Sequence, residues 1–405
     1  MSRAQMAQMW QAAKGCPTTG GVTYGADPKI SDFGNCGTAP ARMVTVLGGS
    51  HDWDPHNWNN GWTRDRIVQI SNEHGYAGRP AEANTVTRVH ASTQPKVTVF
   101  GNLTATSSGA GGFLTAYPCD QPRPVASNVN YTPWWTVATF ATVKTDSNGD
   151  FCVYTPTATH ILFDKAGETT AVNAQNPLRT LDTRTTSGKP SAGTVTKVRT
   201  FAVNTTALGN FTVTQPDTGG YAVAYPCSQP RPVASNVNYE AGQTVANHVM
   251  VRTDNNGEFC VYTTAATHLI WDQAAETASI TTTAPTRVGD TRTASGKPGA
   301  GTVTSFPTGL AGGTVAVVNM TVTQPDTGGY VTVYPCNQTR PVASNINFTA
   351  GRTVANLALS PTDADGNICV YTSSSTHLVV DVDASAESQT VQGSAPVRLL
   401  DTRIK

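Results

Sequence analysis

Three pairs of cysteines with one common spacing constrain this chain more than any other feature. Cys119 and Cys152, Cys227 and Cys260, and Cys336 and Cys369 are each 33 residues apart. They recur at a period of about 108 residues, too long for a solenoid repeat and suited to an array of whole domains. Closely spaced ligand pairs of the C-x-x-C kind do not occur, so a staple inside each repeat fits better than a metal site. Closing a loop of that size removes roughly 4 kcal/mol of denatured-state freedom, comparable to the stability of a small domain. Such bonds persist outside the reducing cytosol. Cys16 and Cys36 are expected to form a fourth disulfide.

Aligned on its cysteines, each repeat opens with an apolar strand: VTVFGNLTAT from Val97, NFTVTQ from Asn210 and VAVVNMTVTQ from Val315. FLTAYPC, YAVAYPC and YVTVYPC follow, alternating so that one face is buried and the other wet. R-P-V-A-S-N-V-N-Y from Arg123 and Arg231, and R-P-V-A-S-N-I-N-F from Arg340, begin with a proline that suits a strand start or an edge. TDSNGDFCVY, TDNNGEFCVY and TDADGNICVY place Asp or Asn with Gly between two extended runs, a hairpin signal. THILFD, THLIWD and THLVVD form the last strand, and P-x-R-x-x-D-T-R then spans Pro177 to Arg184, Pro285 to Arg292 and Pro396 to Arg403. Each such motif lies downstream of its cysteine pair, and so closes the repeat before it or seals the junction to the next. No D-T-R precedes the first repeat, whose N-terminal edge must therefore meet something else.

The expected fold is all-β: three tandem disulfide-pinned β-sandwich-like modules after a small, loop-rich N-terminal domain with one short helix. The expected divisions are 1–78, 79–184, 185–292 and 293–405. The helix is placed by Met6, Met9, Trp10 and Ala13 along one side, with Gly15 to stop it.

Together, YPC, RPxASNxNY, NGxxCVY, THLxxD and RLLDTR resemble repeats of secreted and surface proteins of actinobacteria, also seen in proteins of their phages. The resemblance covers roughly residues 97 to 403 and implies an extracellular accessory module, often attached to a hydrolase or other effector. It implies no catalytic role.

Charged residues are only 13% of the chain and the net charge is zero, so neither nucleic acid nor acidic lipid is an expected partner. MSRAQMAQMWQAAKGCP has no apolar secretion segment, and no run approaches the roughly eighteen apolar residues of a membrane span. Either a signal has been removed or the protein leaves its cell by lysis, as virion proteins do.

Several clusters invite a chemical reading. His160, His268 and His377 stand four residues before Asp164, Asp272 and Asp381 and share a strand face with them. No activated serine or cysteine recurs with them, which favours a hydrogen-bonded structural pair over a catalytic dyad. Each Asp is expected to receive an arginine from the D-T-R motif, whose members are Asp182 and Arg184, Asp290 and Arg292, and Asp401 and Arg403. The Asp-rich turns around Asp146, Asp254 and Asp363 resemble calcium loops but lack the downstream acid. GGSHDWDPHNWNNGW gathers His51, Asp52, Asp54, His56, Trp53, Trp58 and Trp62. There a metal site, a carbohydrate or partner surface, and a small aromatic core compete; the core is the favoured reading, and the surface is preferred to the metal. Asn102, Asn210 and Asn319 lie in N-x-S/T sequons that matter only in a glycosylating host.

The expected function is that of a non-enzymatic extracellular structural or binding protein, an exposed virion component such as a tail fibre, spike or decoration protein of an actinobacterial-type phage. The alternative is a secreted actinobacterial cell-surface protein or wall hydrolase with glycan-binding repeats. No cofactor is expected. The expected partners are a cell-surface glycan or protein receptor, other structural proteins through the N-terminal domain, and further copies of the chain.

Overall fold

The computed structural model describes residues 78–404 and the backbone of three earlier strands. These strands, β1 (Thr23–Tyr24), β2 (Ile30–Cys36) and β3 (Ala39–Val44), form one antiparallel sheet in the order β1-β2-β3. The expected N-terminal helix and the Cys16–Cys36 bond lie outside the described residues.

Residues from Pro80 to Thr402 form one compact unit. Its first repeat contains β4 (Thr85–His90), β5 (Thr98–Thr106), β6 (Gly112–Pro118), β7 (Val129–Tyr131), β8 (Val137–Lys144), β9 (Asp150–Thr155) and β10 (His160–Thr169). Then come β11 (Leu178–Asp182), β12 (Val195–Arg199), β13 (Thr206–Thr214), β14 (Gly220–Tyr225), β15 (Val237–Tyr239), β16 (Val245–Arg252), β17 (Glu258–Thr263) and β18 (His268–Thr277). The third set is β19 (Thr281–Asp290), β20 (Thr302–Pro307), β21 (Val315–Thr323), β22 (Gly329–Pro335), β23 (Ile346–Phe348), β24 (Val354–Pro361), β25 (Asn367–Thr372), β26 (His377–Ala386) and β27 (Gln392–Asp401).

Each repeat builds an outer sheet from its own strands: β4-β9-β6-β7, β12-β17-β14-β15 and β20-β25-β22-β23. Each inner sheet borrows a strand carrying the P-x-R-x-x-D-T-R motif. β11 pairs with β18 of the second repeat and β19 with β26 of the third. β27 crosses back to pair with β10 of the first, giving the order β27-β10-β5-β8. The motif therefore seals the junction to the next repeat, and the unmatched edge of the first repeat meets the last strand.

The six four-stranded sheets make a closed, propeller-like arrangement rather than three tandem sandwiches, which corrects the expectation of independent beads. The physical reason lies in β5, β13 and β21, buried at every residue. One face of each packs against its own outer sheet; in the first repeat Val99, Leu103 and Phe163 meet Leu114, Phe151 and Val153. The other face enters a second core, shared by all three repeats through Phe100, Phe140, Leu208, Met250, Val317 and Leu357. A repeat on its own would leave that second face in water, and about 25 cal/mol per Å² of apolar surface favours covering it.

Asparagine side chains knit the junctions. Asn102 donates to the Ser344 carbonyl, Asn210 to that of Ser127 and Asn319 to that of Ser235, so each inner strand is tied to the R-P-V-A-S-N segment of the preceding repeat in the ring. These are the sequon asparagines, and each is at most 3% exposed, so the folded protein offers no glycosylation acceptor there. Asn356 donates to Asn102 Oδ1 at 2.8 Å and accepts from the Phe140 amide. Asn247 does the same with Asn319 Oδ1, at 3.2 Å, and the Leu357 amide. The equivalent position in the first repeat is Thr139, and there both Thr139 Oγ1 and Asn210 Oδ1 are buried without a partner. Thr139→Asn is expected to complete the third bridge and stabilise the protein by about 1 kcal/mol. An unchanged or lowered urea midpoint would contradict this.

The disulfides Cys119–Cys152, Cys227–Cys260 and Cys336–Cys369 are formed within repeats, with Cα–Cα distances of 4.9, 4.9 and 4.8 Å. The outward face of the YPC strands, expected to be wet, is largely covered. The R-P-V-A-S-N segment folds over it, Thr115 donating to the Ala126 carbonyl and Asn128 accepting from the Ala116 amide.

Candidate functional site

The His and Asp of T-H-x-x-x-D do not serve each other; each takes a partner from the borrowed strand. In register across the ladder, Arg398 lies opposite Asp164, Arg179 opposite Asp272 and Arg287 opposite Asp381. Each guanidinium grips its carboxylate with two bonds: 2.7 and 2.9 Å for Arg398, 2.7 and 2.9 Å for Arg179, and 2.6 and 3.1 Å for Arg287. The three aspartate side chains are 1% exposed. Burial pushes the carboxyls of Asp272 and Asp381 up, and the arginines opposite them pull the other way. The expectation that Arg184, Arg292 and Arg403 would fill this role is corrected: the first arginine of P-x-R-x-x-D-T-R does so. Arg184 and Arg292 instead fold back on Asp182 and Asp290, and the Arg292 bond holds the Asp290 carboxyl down to about 2.

The threonine of D-T-R completes the lock. Thr402, Thr183 and Thr291 each meet Nδ1 of His160, His268 and His377 at 3.1 Å. The same hydroxyls accept from the amides of Ile161, Leu269 and Leu378. The chemistry of these histidines and aspartates is thus that of strand capture. The sequence carried one signal for it: Arg179, Arg287 and Arg398 occupy the same motif position in all three copies.

The Asp-rich turns need no ion to close. Asp146 Oδ1 accepts from the amides of Asn148 and Asp150, and Asp254 and Asp363 repeat the pattern. In the first repeat Arg88 also bridges Asp146 and Asp150 at 3.0 Å each. Among the described residues no group of three or more His, Cys, Asp or Glu is placed to hold a metal. His51, His56, Trp53, Trp58 and Trp62 lie outside the described residues.

The outer sheets carry a feature that the sequence reading did not single out. Arg123, Arg231 and Arg340 lie 3.7, 3.8 and 3.7 Å over the rings of Tyr154, Tyr262 and Tyr371. Beside each stack stands a valine, Val125, Val233 or Val342, at least 80% exposed.

The turns joining β7 to β8, β15 to β16 and β23 to β24 form a second cluster. Thr136, Thr244 and Thr353 anchor them to Thr106, Thr214 and Thr323 at 2.6 to 2.7 Å. In the second and third repeats the turn has Gly242 and Gly351 at φ 70° and 73°; the first has Trp134 at φ 67°. Arg352 of the third turn lies 4.0 Å over the ring of Trp135 from the first, and its Nε is 3.3 Å from Glu240 of the second. All three repeats therefore meet at one side chain. A cavity of about 300 Å³ adjoins it, lined by Asn238, Tyr239, Glu240, Gly351 and Arg352 among others.

No family model and no curated protein matches the chain. Among solved structures, the chain aligns with the triple jelly roll fold and turret assembly of an archaeal virus at 9% identity, covering 76% of this chain and 84% of that one, with a TM-score of 0.22. A chain of Sulfolobus Turreted Icosahedral Virus aligns at 10% identity over 76% and 85%, also with a TM-score of 0.22. The CBM22-1-CBM22-2 tandem domain of Paenibacillus barcinonensis Xyn10C aligns at 9% identity over 52% and 97%, with a TM-score of 0.14. Similarity at this level carries no functional argument.

Proposed function

We propose that this chain is a non-enzymatic extracellular structural and binding protein, an exposed virion component such as a tail fibre, spike or decoration protein of an actinobacterial-type phage. The observation that carries the reading is ring closure: a single chain builds a threefold scaffold whose repeated His and Asp side chains are occupied in holding borrowed strands. A nucleophile-activating dyad needs a histidine free to exchange a proton and an acid that orients it. Here the acid is bound to arginine and the ring nitrogen to threonine. Three disulfides suit an oxidising exterior. A rigid ring with its turns gathered at one place suits presentation, because a preorganised surface loses little entropy on binding.

Immunogold labelling with antibody against residues 80–402 tests the location. Decoration of purified phage particles is the expected result. Labelling confined to the bacterial wall would replace the virion reading with that of a secreted surface protein.

A further inference from the structure

We propose that the cavity shared by Lys96 and Lys144 in the first repeat is a binding site for a dianionic phosphate group. The inference deepens the preceding reading and rests on it, since it names the ligand class of an extracellular binding protein. Three observations converge on it.

The first is a concavity with both lysines in its wall. A cavity of about 430 Å³ lies between the turn before β5, the end of β8 and the segment that joins β10 to β11, and its volume is within the range of small-ligand sites. Lys96 and Lys144 line it together with Gln121, Asn173 and Gln175, whose side-chain amides are neutral donors. The one acid among its lining residues, Asp120, is exposed and forms an ion pair with neither lysine.

The second is the state of the lysines across the described residues. Lys165, Lys189, Lys197 and Lys297 each meet a carboxylate, at 2.7, 2.6, 3.2 and 2.7 Å. The other two described lysines have no acid partner among the described residues, and they are the two that share the cavity. Lys144 is partly buried and donates to the neutral Asn173 Oδ1 at 2.7 Å. The Lys96 side chain makes no hydrogen bond among the described residues. Burial first, and then the like charge of Lys96, lower the proton affinity of Lys144. Two cations on one concavity, with donors unengaged, favour an anion that accepts from both.

The third is the placement of the pair. Lys96 holds a left-handed backbone at φ 55°, where the sister turns have Asn204 at 55° and Gly313 at 77°, residue types that enter this region readily. All three close the turn by the same backbone bond, to the carbonyls of Asp146, Asp254 and Asp363, so the turn itself does not call for lysine. Lys144 stands opposite Thr98 in the ladder, where the sisters have Arg252 opposite Thr206 and Pro361 opposite Val315. The lysine pair therefore belongs to the first repeat alone.

The charges select the ligand. A phosphate monoester carries about −1.5 to −2 near neutral pH and three acceptor oxygens, and inorganic phosphate is similar, so either answers both ammonium groups. A carboxylate answers one. Lysine also acts on phosphate as a point charge, whereas the planar fork that matches a carboxylate belongs to arginine, and no arginine lines this cavity.

The test is calorimetry of the full chain at low salt with inorganic phosphate, glycerol phosphate, and the monoanions dimethyl phosphate and acetate. The wild type is expected to bind at least one of the two dianions, and to bind it more tightly than either monoanion. Tighter binding of glycerol phosphate assigns a phosphate monoester as the ligand, and equal or weaker binding assigns the free anion. Lys96→Asn and Lys144→Gln are each expected to weaken the binding about fivefold or more. Lys96→Asn, which installs the residue of a sister turn, is expected to leave the melting temperature in phosphate-free buffer unchanged or raised. Absence of binding of both dianions to the wild type, equal or tighter binding of a monoanion, or wild-type affinity in folded Lys96→Asn would each overturn the proposal. Immunogold location is independent of these outcomes, so a failure of the phosphate site is distinguishable from a failure of the virion reading.

Discussion

Replacing Arg398 with alanine is expected to destabilise the compact unit by about 3–5 kcal/mol, the usual effect of removing one partner from a buried ion pair. Arg398 holds Asp164, which has 1% of its side chain exposed, with two bonds from the strand that closes the ring. Without the guanidinium, the buried Asp164 carboxylate is left without its ion-pair partner. Leu400, from the same strand, packs against the core of the first repeat, so loosening β27 also uncovers apolar surface. Urea unfolding followed by tryptophan fluorescence should show the loss as a lowered midpoint. The double variant Arg398→Leu, Asp164→Leu should recover much of it, because the penalty comes from the orphaned charge. A midpoint unchanged by Arg398→Ala would mean that β27 is not held as described.

The second large effect is acid sensitivity seated in the shared core. His248 occupies the position of Phe140 and Leu357, contacts the Phe140 ring at 5.7 Å and meets Thr142 at 3.0 Å. Burial lowers its pKa from 6.5 to about 3. A histidine that resists protonation only when folded withholds no stability at neutral pH. As the pH falls from 6.5 toward 3, the unfolded chain binds a proton that the folded chain refuses, and stability is lost progressively. At about 1.4 kcal/mol per unit, the loss at pH 4 is on the order of 3 kcal/mol. His248→Leu should flatten this limb, read as the difference in urea midpoint between pH 7 and pH 4. An unaltered pH dependence in that variant would contradict the assignment. Asp383 acts in the opposite sense. Its carboxyl is buried and pushed well up by desolvation, so it lowers stability as pH rises above the unfolded value near 3.8. The His248 limb is therefore best measured with Asp383→Asn as background.

The repeat and its hairpins were legible in the sequence, because the cysteine spacing and the Asn-Gly and Asp-Gly turns are local signals. The direction in which P-x-R-x-x-D-T-R is spent was not. A strand lying between two repeats has the same residues whichever neighbour it joins, and only the ladder from Arg179 to Asp272 decides. Full burial of β5, β13 and β21 was hidden for a related reason. Their Thr and Asn residues carry no local sign of burial, yet Asn102, Asn210 and Asn319 are buried and spend their amides on the neighbouring repeat. The arginine of the strand lock was named at the wrong position because Asp182 and Asp290 already engage Arg184 and Arg292. The departure of the first turn was legible by alignment, since Trp134 and Trp135 stand where the sister repeats carry Gly-Gln and Gly-Arg. The left-handed backbone at Trp134 was not, because a backbone angle is not written in the sequence.

Ring closure by β27 is open to a direct chemical test. Lys165 and Val397 face each other across the β10–β27 ladder although 232 positions apart (397 minus 165). Cysteines placed at both positions should oxidise to an intramolecular disulfide, identified by mass spectrometry of the monomeric, non-reduced protein. If β27 instead packs within the third repeat, that cross-link will be absent or form only between chains, and the closed ring is wrong.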